Sequence, residues 1–259
     1  MNPHGTPIWY ELVTPDANAA KTFYDAVIGW TVGDKPDGDM DYRMIATADG
    51  SFVGGLAAIG PAMPAVASKP GWRFYIGVDD VDASVAAITE AGGSLLLPAF
   101  DMEGVGRMAF VADPQGIAFY VMRGASDEDS TAFDRRTLGK AAWNELSTPD
   151  QAGANAFYQN LFGWTLPDAM PMGEMGEYRF IHHNGDAMRA TMTRPADGPP
   201  ANWQFYFRAP DIEEAAAKVT AGGGTVFHGP VDVPGGERIV IAADPQGIMF
   251  GVVAGGEPA

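Results

Sequence analysis

The mostly apolar and aromatic run Ile8-Trp9-Tyr10-Glu11-Leu12 reads as a β-strand. Thr14-Pro15-Asp16 follows as a helix start, with Thr14 read as the N-cap, Pro15 at the first helical position and Asp16 in the first turn. Ala20, Phe23, Tyr24 and Val27 recur at three- and four-residue spacing, the stripe of a short amphipathic helix that stops near Gly29. Residues 42–46 and 52–59 read as strands. A second strand-helix-strands piece begins at Trp72. It has a strand over 73–78 and a helix opened by Asp79-Asp80 that carries Val81, Val85 and Ile88. Gly92-Gly93 stops this helix, and strands follow over 94–97, 107–112 and 117–122. Asp113-Pro114-Gln115-Gly116 places proline and glycine where a type I turn favours them, so the last two strands form a hairpin.

The same grammar then repeats. Trp9-Tyr10-Glu11-Leu12-Val13-Thr14-Pro15-Asp16 returns 134 residues later as Trp143-Asn144-Glu145-Leu146-Ser147-Thr148-Pro149-Asp150. Phe23-Tyr24 and Gly29-Trp30-Thr31 return as Phe157-Tyr158 and Gly163-Trp164-Thr165. Trp72-Arg73-Phe74-Tyr75 is echoed by Trp203-Gln204-Phe205-Tyr206, and Ala112-Asp113-Pro114-Gln115-Gly116-Ile117 recurs unchanged from Ala243 to Ile248. Asp211 opens the last helix, Gly222-Gly223-Gly224 closes it as a C-terminal cap, and strands over 238–243 and 248–253 pair. The 259 residues therefore divide into two domains of ordinary size, residues 1–123 and 139–259. Residues 124–138 are expected to be an acidic linker, with the small, polar and acidic stretch 124–130 mobile. Residues 168–177, rich in methionine and without strand or helix periodicity, read as a loop.

Composition narrows the function classes. The chain has no cysteine, which removes disulfides, thiolate catalysis and cysteine-bound zinc. Sixteen basic against thirty-three acidic residues give a formal charge of -17, a surface that repels nucleic acid and anionic membranes and draws cationic ligands. No apolar run approaches the roughly 18–20 residues of a membrane span, and no signal peptide is visible, so the expected location is cytoplasmic.

Paired strand-helix-three-strand modules, the Phe-Tyr…Gly-Trp helix ending and Asp-Pro-Gln-Gly before the last strand resemble the vicinal oxygen chelate superfamily. This group includes glyoxalase I, extradiol dioxygenases and bleomycin-resistance proteins. The resemblance spans the chain, once per half. It implies an α+β fold of two tandem glyoxalase-like domains, in which four βαβββ modules curl mixed sheets into cups with flanking helices. Metal-dependent members ligate a divalent ion from the first, fifth and last strands of a domain. Those positions fall on Trp9 and Trp143, near Arg73 and Gln204, and on Tyr120 and Gly251. Only Gln204 offers a suitable donor there, so neither the usual metal nor any other cofactor is expected.

The family register places Trp9, Glu11, Arg73, Tyr75 and Tyr120 on the wall of the first cup, and Trp143, Glu145, Gln204, Tyr206 and Arg208 on that of the second. Aromatic walls with a few polar groups suit a flat organic ligand; side chains filling their own cup would look the same. Glu11 and Glu145 are either a general base or ligand acceptor, or carboxylates bonded to a neighbouring tyrosine or arginine to fix the sheet. His182 and His183 are adjacent on a strand and point to opposite faces, so they cannot share an ion; one of them, or His228, beside Glu145 would make an atypical metal site. The leading expectation is metal-independent binding of a small aromatic or cationic molecule by a monomer or homodimer. A divalent-metal-dependent lyase or dioxygenase with a non-standard site, and a scaffold with vestigial cups, are the alternatives.

Overall fold

The computed structural model describes residues 2–256. The first half runs β1 (Pro7–Thr14), α1 (Ala17–Ile28), β2 (Thr31–Val32), β3 (Tyr42–Ala46), β4 (Phe52–Ala58), β5 (Gly71–Gly77), α2 (Val81–Glu90), β6 (Ser94–Met102), β7 (Gly106–Ala112) and β8 (Ala118–Gly124). The second half repeats the order with β9 (Ala141–Thr148), α3 (Gln151–Phe162), β10 (Thr165–Pro171), β11 (Glu177–His183), β12 (Asp186–Thr193), β13 (Asn202–Arg208), α4 (Ile212–Ala221), β14 (Thr225–Val233), β15 (Glu237–Ala243) and β16 (Met249–Gly255). Two mixed eight-stranded sheets result, ordered β2-β3-β4-β1-β5-β8-β7-β6 and β10-β11-β12-β9-β13-β16-β15-β14. This is the α+β architecture that the motifs implied.

The helices form where their punctuation places them, with one correction. The N-cap of α1 is Asp16, not Thr14: its Oδ1 accepts from the backbone N–H groups of Asn18 and Ala19, each at 3.0 Å. A carboxylate reaches two orphan donors and adds a charge favourable to the helix dipole, so it outcompetes the threonine two residues earlier. Asp80, Asp150 and Asp211 cap the other helices in the same way. Gly29 and Gly163 end α1 and α3 in the left-handed conformation, with φ of 83° and 66°.

A second correction concerns residues 168–177. Their first part is not a loop: β10 extends to Pro171 and pairs antiparallel with β11, and a short 3-10 turn over Gly173–Met175 follows. β10 stands at the edge of its sheet and its register slips between Thr165 and Asp168. A slipped edge strand need not keep the apolar alternation by which strands are read.

The chain also divides into two compact units, and neither coincides with a half of the sequence. One comprises the residues up to Ile8, Arg73–Ser130 and Asn144–Trp203; the other comprises Trp9–Trp72, Thr131–Trp143 and Gln204 onward. Each unit therefore takes one module from either half. The same motif holds each together. In the first unit Trp203 Nε1 donates to the Tyr158 hydroxyl at 3.1 Å, which donates to Asp113 Oδ2 at 3.2 Å. In the second, Trp72 Nε1 donates to Tyr24 at 3.1 Å and Tyr24 to Asp244 Oδ2 at 3.3 Å. Burial pushes both aspartates up from the ordinary carboxylate range, and burial beside those carboxylates raises both tyrosines well above theirs. The repeated Trp, Phe-Tyr and Asp-Pro-Gln-Gly motifs are thus the parts of a buried chain that joins one half of the sequence to the other.

The connector between the halves is anchored in its later part. Ser130 donates to Ile8 O at 2.6 Å, Ala132 is buried, and the Lys140 ammonium, drawn down from its ordinary value by burial, donates to Phe52 O at 2.9 Å.

Candidate functional site

Residues paired directly across strands share a sheet face, so register tells which side chains line the surface turned away from the helices. In the first unit Tyr75 and Tyr120 are such a pair, their rings stacked at 4.3 Å and 6°. Phe110, paired to Tyr120 from β7, stacks on its other side at 4.5 Å, and the Arg73 guanidinium lies 4.9 Å over Phe110. Phe119, the neighbour of Tyr120, points the other way and packs on Tyr158 and Phe162 of α3. Arg73, Tyr75 and Tyr120 come together as an aromatic layer, whereas Trp9 and Glu11, grouped with them in the first cup by the family register, belong to the other unit.

The other face of this unit is more open. Glu145, Ala190, Phe180 and Asp168 form one continuous row across β9, β12, β11 and β10. Glu145 Oε2 accepts from the Tyr178 hydroxyl at 2.8 Å, the bonding to a tyrosine that was one of its two expected fates. The Tyr178 and Phe180 rings meet edge-on at 5.4 Å, and both are half-buried. Beyond Phe180, His182 Nε2 lies 3.4 Å from Asp168 Oδ2. His183 points to the opposite face, where its Nε2 donates to His4 O at 2.8 Å; burial and the nearby Arg189 charge hold its pKa below the usual imidazole range.

In the second unit Trp9 Nε1 donates to the Tyr42 hydroxyl at 2.8 Å. Glu11 pairs with Gly55 and Gly55 with Met44, the row that matches Glu145, Ala190 and Phe180. The rows are not equivalent. The Tyr42 hydroxyl lies over Gly55, only 2.2 Å from where a Cβ would stand, whereas Ala190 has room for its methyl group. Glu11 is buried and Glu145 half-buried.

The last face of the second unit is filled. Tyr206 is paired to Gly251 and its ring stands 2.2 Å from where a Cβ at 251 would be. Tyr206 clusters with Ala142 and Val253, and Trp143, Ile239 and Ile241 pack against them. Arg208 donates to Gly255 O at 2.8 Å and pairs with Glu237, which also attracts Arg135; Arg135 in turn lies 5.2 Å over the Trp143 ring. Gln204 is buried, and its Nε2 meets no hydrogen-bond acceptor among the described residues. His228 pairs with Ile241 on the exposed edge strand β14.

These surroundings test whether the family's metal would fit. Tyr120 is held between two rings, Tyr206 occupies the space of a last-strand side chain at 251, and Trp9 has only an N–H to offer. The positions do not supply a metal triad. Among the described residues no group of three or more His, Asp or Glu side chains is placed to hold an ion.

Tyr42, Phe110, Asp168, Tyr178 and Phe180 were not singled out from the sequence. Tyr42 and Tyr178 stand on strands whose partners only the fold reveals, and Asp168 lies on the slipped edge strand. The signal that was available is spacing: Tyr178, Phe180 and His182 alternate on one strand.

The family described as Glyoxalase/Bleomycin resistance protein/Dioxygenase superfamily matches residues 7–121 and 140–252. "Putative glyoxylase CFP32" of Mycobacterium bovis is 36% identical over 96% of this chain and 94% of its own length. "Anthracycline biosynthesis protein DauV" of Streptomyces sp. strain C5 is 31% identical over 96% and 93%. Among solved structures, the Mn(II)-bound glyoxalase of Novosphingobium aromaticivorans superposes with a TM-score of 0.68 at 18% identity, over 99% of this chain and 84% of that one. Homoprotocatechuate 2,3-dioxygenase of Brevibacterium fuscum, in complex with 3,4-dihydroxyphenylacetate, gives 0.68 at 17% over 98% and 82%.

Proposed function

Because this chain belongs to the glyoxalase/bleomycin resistance protein/dioxygenase superfamily, we propose that it binds a small aromatic organic molecule on the helix-free faces of its sheets, without the divalent ion used by other members. The observation that carries this reading is the row Glu145–Ala190–Phe180–Asp168. It sets a tyrosine-bonded carboxylate and a phenylalanine on a half-exposed surface beside Met170 and Met192. Apolar and polarisable groups around a few polar ones are what a flat ligand needs.

The relatives named for anthracycline biosynthesis support an aromatic ligand, and the net charge of -17 favours a neutral or cationic one. The face around Tyr206 and Gly251 is packed by its own side chains and takes no part. A metal-dependent lyase or dioxygenase using Glu145 with a histidine of the second half is the alternative, and no third His, Asp or Glu among the described residues is placed to complete such a site. Elemental analysis of protein purified without chelator, alongside a thermal-shift screen of aromatic compounds, separates the two. The expected result is stabilisation by a planar aromatic compound with no stoichiometric metal; stoichiometric manganese, nickel, iron or zinc would overturn it.

A further inference from the structure

The open face has a length and a polarity. Tyr178, Phe180 and His182 alternate on β11, so they stand in line on one surface. The Tyr178 hydroxyl and the His182 ring turn from this line toward Glu145 and Asp168, which both stand in the row of Phe180; three strand spacings of about 4.8 Å put the two ends roughly 14 Å apart, with the phenylalanine between them. Each end is already paired to a carboxylate: Tyr178 to Glu145 at 2.8 Å and His182 to Asp168 at 3.4 Å.

Those partners fix what the ends offer. The Tyr178 hydroxyl donates to Glu145, a carboxylate that can only accept. Asp168, 3.4 Å from the His182 ring, is likewise a carboxylate that can only accept. Both ends therefore accept hydrogen bonds, and both carry negative charge close behind. A ligand with carboxylates at its ends is repelled; one with hydroxyl donors is matched.

We infer that this face reads an extended, fused-ring aromatic molecule bearing hydroxyl groups at both ends of its long axis, with its ring system stacked on Phe180. The inference rests on the proposed function and adds the ligand's shape and the sense of its hydrogen bonds. A single-ring compound reaches one end only. A fused three-ring compound spans Phe180 and both dyads, and its rings offer Phe180 an aromatic partner to stack on. The first half lacks this arrangement, since Met44 stands where Phe180 does and Tyr42 covers Gly55.

The test is calorimetric titration of the full chain with 2,6-dihydroxyanthraquinone, anthraquinone-2,6-dicarboxylate, unsubstituted anthraquinone and catechol. The dihydroxy compound is expected to bind at one site per chain, at least tenfold tighter than anthraquinone or catechol, with the dicarboxylate weakest. Tyr178→Phe and His182→Ala should each weaken the dihydroxy compound about tenfold and leave anthraquinone unchanged, while Phe180→Leu weakens both. His182→Asn, which keeps a polar group of similar reach, guards against a folding defect, as does circular dichroism of each variant. Tight binding of the dihydroxy compound that is indifferent to all these variants, or preference for the dicarboxylate, would overturn this inference and leave the proposed function standing. Failure of every aromatic probe to bind the unaltered protein would overturn both.

Discussion

Two buried residues carry opposite pH signatures. Tyr158 stabilises the Asp113 carboxylate by donating to it while burial works against that charge. Because the folded pKa of Asp113 is raised, the stability it contributes is complete below its unfolded value near 3.8 and is lost as pH rises through the folded value. Tyr158→Phe removes a side-chain donor to this carboxylate and raises that pKa further. The variant is expected to lose about 1–3 kcal/mol in urea denaturation at pH 7 and distinctly less at pH 4. His183 behaves in the reverse sense. Its folded pKa is depressed, so its contribution is present above the unfolded value near 6.5 and is lost as pH falls through the folded one. Unfolding midpoints of the unaltered protein should therefore fall between pH 7 and pH 5 more steeply than those of His183→Asn. Equal slopes would mean that the imidazole is not held neutral against Arg189 and the His4 carbonyl.

The strand-helix-strands grammar was legible because it is written in local chemistry: aspartate at each helix start, glycine after α1 and α3, and Asp-Pro-Gln-Gly at each last hairpin. Those signals act within a few residues, so sequence alone resolves them. What stayed hidden depends on pairing. β10 carries no regular alternation because it is a slipped edge strand, and Asp168 was lost with it. Tyr42 and Tyr178 became site residues only once β3 and β11 were placed two strands away from β1 and β9. Even the cap of α1 was misjudged by two residues, since Thr14 and Asp16 both satisfy the cap pattern. The structure gives a clear discriminant: Asp150→Ala should cost about 0.5–2 kcal/mol in chemical denaturation, as the loss of a cap does. Thr148→Val should cost less, because Thr148 makes no cap bond to α3. The reverse order would restore the threonine as cap.

On the scale of the whole chain, duplication and compactness follow different divisions. The repeats describe the sequence and the strand order of each sheet, whereas each compact unit draws a module from either half. This explains why both copies kept Trp, Phe-Tyr and Asp-Pro-Gln-Gly: every buried Trp–Tyr–Asp chain needs its parts from both. The faces turned away from the helices were under no such mutual constraint, and they diverged. One is an aromatic layer, one is covered by Tyr42, one is filled by Tyr206, and one remains open around Phe180. None of the described helices is long and apolar enough to cross a membrane. The central claim is that the open face holds an aromatic ligand by its own side chains. Its most direct test is a calorimetric titration of chelator-stripped protein with 2,6-dihydroxyanthraquinone, repeated after loading with manganese, nickel, iron or zinc. The account predicts one site per chain with the same affinity in every case; binding that appears only after a metal is added would contradict it.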